Sequence, residues 1–176
     1  MGADIYLQSV SKRVLEEWEP KFKAACRVRD ALGVEPERNR DAPFTVVGPP
    51  EYVAAQAKVT EAYSKMYSEG YFRDSYNSWS LFWLLGLSWW GDVGERLVEG
   101  DLGADGLAWL RAELEARDVP SEEELIAYFS ERDIPVGGEG EEDPKELRQY
   151  YKGQKQELVA LITQAQELGE PLYCSV

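Results

Sequence analysis

The apolar residues of this chain fall into one short alternating stretch, a series of helical stripes and a short terminal strand. Residues 4–10 alternate, with Ile5 and Leu7 on one face and Tyr6 and Gln8 on the other, and predict a strand. Residues 11–32 then take a helical period that places Val14, Leu15, Trp18, Phe22, Ala25 and Cys26 on one side. Pro20 has no backbone N–H and its ring crowds the preceding turn, so it should kink or split that helix near Glu19. Residues 35–50, rich in proline and charge, read as a loop.

A second helix is expected over residues 51–68, opened by Pro50 and stopped by Gly70, with Tyr52, Ala55, Val59, Ala62, Tyr63 and Met66 inward. Ser75 or Asn77 can cap a third helix running to about Trp90. Because it is apolar almost all round, it should be the central one. A shorter helix within residues 101–118 carries Leu107, Trp109, Leu110 and Leu114. Ser121 and Glu124 form a capping-box signature for a helix ending near Asp133, with Leu125, Ile126, Tyr128 and Phe129 inward. Asp143 and Pro144 open a long last helix to about Leu168, followed by Gly169. Its Leu147, Tyr151, Leu158, Leu161 and Ala165 are core positions or, alternatively, the seam of a homo-oligomer. Residues 172–176 predict a terminal strand. The reading is mainly α, a single domain over residues 1–176 with a minor β element in which the first and last strands pair.

Composition narrows the chemistry. The chain has no histidine among 176 residues, which removes every Ser–His, Cys–His and imidazole–metal arrangement. Its two cysteines, Cys26 and Cys174, form no spaced motif, and Cys26 is read as a small core residue. No glycine-rich phosphate loop is present. The DLGADG sequence at 101–106 lacks the third- and twelfth-position ligands of a calcium loop. No catalytic residue, metal or cofactor is therefore assigned, and a carboxylate-pair enzyme ranks below a binding protein. With no leader-like start and no long apolar run, a cytoplasmic protein without a membrane span is expected. A net charge of −14 disfavours direct binding of nucleic acid. Twelve acids face two arginines over residues 113–143, a solvated face or a docking surface.

Residues 71–90, YFRDSYNSWSLFWLLGLSWW, hold eight aromatic residues around a polar cluster. Tyr71, Phe72 and Tyr76 offer rings to stack on a base, Arg73 a guanidinium that forks onto a phosphate, and Asp74 and Asn77 polar edges. The expectation is a site for a small nucleotide-like ligand. The structural alternative is a cap in which Asp74 pairs with Arg73. Trp90, at the end of the aromatic run, and Glu122, Glu123 and Glu124, in the acidic stretch, are the candidate contacts to a protein partner.

The opening MGADIYL, the central YSEGYFRDSYNSWSLFWLLGLSWWGDVG and the closing LGEPLYCSV together resemble a family of small, uncharacterised bacteriophage and prophage proteins. The resemblance covers the two ends and the middle, and carries no functional residue across. It implies a phage-borne accessory or anti-defence factor that acts by occupying something. That target is a signalling nucleotide, through the 71–77 cluster, or a basic host defence protein, which the 113–143 stretch would meet as an acidic inhibitor or nucleic-acid mimic.

Overall fold

A strand followed by a long helix opens the chain. In the computed structural model, which describes residues 2–34, 37–38, 46–75, 79–87, 101–138 and 141–175, β1 spans Gly2–Tyr6 and α1 spans Gln8–Asp30. The strand is shorter than the alternation suggested, but Ile5 and Leu7 are both fully buried. The chain forms two compact units, one made of residues 1–8 and 71–176, the other of residues 9–70.

The unit of residues 9–70 contains α1, the two-residue strands β2 (Glu37–Arg38) and β3 (Val46–Val47), which pair antiparallel, and α2 (Pro50–Met66). Pro20 neither ends nor splits α1, which stays one helix of 23 residues. A proline inside a helix costs one backbone bond, and here it sits on an exposed stretch where water can take the freed carbonyl. Pro50 starts α2, whose Tyr52, Ala55, Val59, Ala62 and Met66 are buried. Tyr63, expected inside, is exposed and lies between the Phe22 and Tyr67 rings at 5.9 and 5.0 Å.

The other unit is a four-stranded antiparallel sheet backed by helices. Strands β4 (Tyr71–Ser75), β5 (Asp101–Leu102) and β6 (Leu172–Ser175) join β1 in the order β4-β1-β6-β5. The first and last strands pair as the sequence suggested, and the protein is mainly α with minor β. Among the described residues four helices follow β4 in this unit: α3 (Leu81–Leu84), α4 (Ala104–Ala116), α5 (Glu122–Ser130) and α6 (Pro144–Leu168). The last of these is the hub, packing on β4, α3, α4 and α5. Its Leu147, Tyr151, Leu158, Leu161, Ile162 and Ala165 are buried. Asp143 caps its start by accepting from the Lys145 N–H, and Gly169 at φ 64° ends it in the left-handed conformation that glycine adopts without strain.

One element differs from the sequence reading. The central aromatic helix does not form at residues 71–75, which are a strand, and among the described residues of 79–87 only one turn, α3, is helical. Ser75 is therefore a strand residue, and Ser80 caps the short helix, its hydroxyl accepting from the Trp83 N–H. A run of aromatic residues satisfies a strand as well as a helix, and pairing with β1 decides between them. Residues 88–90, the rest of the expected helix, lie outside the described residues.

Candidate functional site

Strand alternation sorts the YFRDSYN cluster onto two faces. The register sets Tyr71 opposite Tyr6, Phe72 opposite Ile5, Arg73 opposite Asp4 and Asp74 opposite Ala3. On the other side of β1, Tyr173 sits opposite Tyr6 and Cys174 opposite Ile5. Phe72, Asp74, Ile5 and Cys174 thus share one face, and Tyr71, Arg73, Asp4, Tyr6 and Tyr173 share the other.

The first face is core. Phe72 is 3% exposed and Asp74 7%. The Asp74 carboxylate does not pair with Arg73; it accepts from the Ser80 hydroxyl at 2.6 Å and from the N–H groups of Leu81 at 2.9 Å and Phe82 at 3.2 Å. These are orphan donors of a helix start, and a carboxylate there is favoured by both hydrogen bonding and the helix dipole. Next to it, the Tyr151 hydroxyl donates to the Trp79 carbonyl at 3.0 Å, and the Trp79 ring packs on Phe129 at 4.6 Å. Burial, reinforced by Tyr150 and Asp74, pushes the Tyr151 hydroxyl far above the usual phenol range. Burial and then Asp4 raise the Cys174 thiol to about 11.

The second face carries the exposed chemistry. Tyr71, Tyr6 and Tyr173 form a row across three neighbouring strands, each partly exposed. The Tyr6 and Tyr173 rings stack at 5.9 Å with 23° between their planes. Beside this row, Asp4 accepts from the Tyr71 hydroxyl at 2.5 Å and faces the Arg73 Nε at 3.5 Å. The Arg73 side chain is 55% exposed. An exposed ion pair of this kind contributes at most about 1 kcal/mol, so an incoming anion can compete for the guanidinium. The arrangement offers ring faces for a planar group next to a forked cation.

Of the residues singled out from sequence, Tyr71 and Arg73 come together on the outer face, while Phe72 and Asp74 lie on the inner one. Tyr76, Asn77 and Trp90 lie outside the described residues. Asp4, Tyr6 and Tyr173 were not singled out, although the alternation of residues 4–10 already placed Tyr6 opposite the Ile5 side. Cys26 and Cys174 are free thiols, and among the described residues no group of three or more acids and cysteines is placed to hold a metal.

Glu122, Glu123 and Glu124 form the exposed first turn of α5. Glu124 completes the capping box, accepting from the Ser121 N–H at 2.7 Å while its own N–H donates to the Ser121 hydroxyl at 3.3 Å. Those hydrogen bonds hold its carboxyl below the usual range. The acidic stretch also neutralises part of its own charge, through Glu113 with Arg117 and Glu131 with Arg132. Among the described residues no helix is long and apolar enough to cross a membrane.

No family model matches this chain, and no curated protein or solved structure matches it significantly.

Proposed function

We propose that this protein is a non-enzymatic binding protein that sequesters a small phosphorylated, nucleotide-like ligand on the outer face of its sheet. The observation that carries this reading is the register that sets Arg73 beside the Tyr71–Tyr6–Tyr173 row. A base stacks on tyrosine rings whatever its identity, with about 1–3 kcal/mol per base. Arg73, released from Asp4, takes the phosphate through two parallel N–H donors. The charge of −14 favours a small ligand over a polynucleotide, whose many phosphates the protein as a whole repels. The phage context implied by the sequence resemblance suits a factor that removes a nucleotide immune signal from the host cytoplasm.

A thermal-shift screen against mononucleotides, cyclic nucleotides and ADP-ribose derivatives tests this. A ligand at 100 times its Kd adds about 2.7 kcal/mol to the native state. One ligand class should raise the melting temperature by several degrees, and both Arg73→Ala and Tyr173→Ala should abolish the rise. A ligand shift that survives both substitutions would remove the sheet face from the account.

A further inference from the structure

The helix α6 carries a second feature that the sheet-face reading does not use. Every cation that follows Arg132 in the chain lies on this helix: Lys145, Arg148, Lys152 and Lys155. Their spacings of three, four and three residues place them along a single stripe of the helix. Three of the four line a groove of about 710 Å³, together with Val119, Gln156 and Val159.

Backbone carbonyls hold two of these cations in place, and Arg148 also acts on the nearby Glu124 carboxylate, helping the Ser121 hydrogen bonds to lower its pKa. Arg148 Nε donates to the Pro120 carbonyl at 2.9 Å, and Lys155 Nζ to the Arg117 carbonyl at 2.6 Å. Both bonds tie α6 to the connection between α4 and α5, and Lys155 also meets the carbonyl end of α4, where a cation is favoured. The other two guanidinium nitrogens of Arg148 and the ammonium of Lys152, between them, have no hydrogen-bond partner among the described residues. No carboxylate there forms an ion pair with any of the three. Among the described residues Asp118 is the one acid in the lining, and it is exposed. A concave site with three like charges is unfavourable by itself on electrostatic grounds, and a protein with 33 acids has ample means to neutralise it.

We infer that this groove binds a compact anion carrying two or more linked phosphoryl groups. Arg148 and Lys155 are seven residues apart, about 10 Å along a helix, a spacing that suits a chain of linked phosphoryl groups better than a single phosphate. Lys152 sits between them to meet the centre of such a chain. Val119 and Val159 provide apolar wall for an attached organic group. The groove shares no residue with the sheet face, so the inference stands apart from that reading.

Calorimetric titration with inorganic pyrophosphate, against orthophosphate as the shorter probe, tests it. The wild-type chain should bind one pyrophosphate, at least tenfold tighter than orthophosphate, with affinity falling as salt rises. Lys152→Ala should weaken pyrophosphate binding at least tenfold with an unchanged melting temperature, since the Lys152 ammonium ties nothing down. Arg73→Ala should leave it unchanged. Absence of pyrophosphate binding at millimolar concentration, or equal binding by Lys152→Ala, would overturn the proposal. So would loss in Arg73→Ala with retention in Lys152→Ala, which would assign the phosphates to the sheet face instead.

Discussion

The Asp74 carboxylate and the Ser80 hydroxyl, 2.6 Å apart and both buried, join the end of β4 to the start of α3. Through this contact and two backbone N–H donors, a residue that reads as a ligand contact in the sequence becomes the outer cap of a helix. A buried group left without its partner loses its full desolvation free energy, about 1–3 kcal/mol for each. Asp74→Ala should therefore destabilise the protein by about 3 kcal/mol, measured by urea unfolding. A loss below about 0.5 kcal/mol would show that the cap is not needed.

Gly70 is constrained twice. Its φ of +63° favours glycine, and a Cβ there would stand 2.7 Å from the Val10 Cβ. Gly33 has the same backbone conformation, φ +62°, and a Cβ there would meet nothing within 4 Å among the described residues. Gly33→Ala should cost about 1 kcal/mol from conformation alone, and Gly70→Ala about 2–4 kcal/mol with the overpacking added. Paired thermal melts read the difference, and equal losses would mean that Val10 moves aside freely.

Stability should fall in alkali. The Cys174 thiol is raised from 9.0 to about 11, chiefly by burial, and burial likewise raises the Tyr128, Tyr150 and Tyr151 hydroxyls. Each group keeps its proton longer in the folded than in the unfolded chain, so the native state binds more protons and stability declines with rising pH. For Cys174 the contribution is complete below pH 9 and gone above about 11. The melting temperature should be flat from pH 7 to 8.5 and drop between 9 and 11, with Cys174→Ser removing part of the drop and the tyrosines retaining theirs. A melting temperature constant to pH 11 would contradict the raised values.

The first turn of α5 should matter for stability and not for ligand. Ser121→Ala removes one half of the capping box and should cost about 1 kcal/mol. Glu122→Lys with Glu123→Lys reverses charges that the helix dipole favours, at about 0.3–1 kcal/mol each. Under the sheet-face reading, neither change affects the nucleotide-induced thermal shift. If the shift disappears in the double lysine variant and survives in Arg73→Ala, the nucleotide contacts the first turn of α5 and not the sheet face.

Local signals carried much of this fold. Proline at position 50, the Ser121–Glu124 box, Asp143 with Pro144, and Gly169 each act within a few residues of a helix end, so they are readable without any partner. The inward stripe of α6 was equally legible, because one face of a long helix repeats at 3.6 residues wherever the chain goes next. Tyr63 and Ile126, which that periodicity placed inside, are exposed, since the edge of a stripe is buried only if a neighbour reaches it.

What the sequence by itself determined was therefore the helical character, the starts of α2, α5 and α6 and the end of α6. The pairing of the first and last strands was suggested by their alternation and fixed by the register. The tertiary structure alone decided the state of residues 71–75, because an aromatic run fits helix or strand until a neighbouring edge supplies its hydrogen bonds. That choice split the polar cluster, since a period of two sends Arg73 outward and Asp74 into the core, whereas a helical period keeps no such alternation. It also assembled Asp4, Tyr6, Tyr71, Arg73 and Tyr173 from three strands far apart in sequence, a grouping that exists only once the register is fixed.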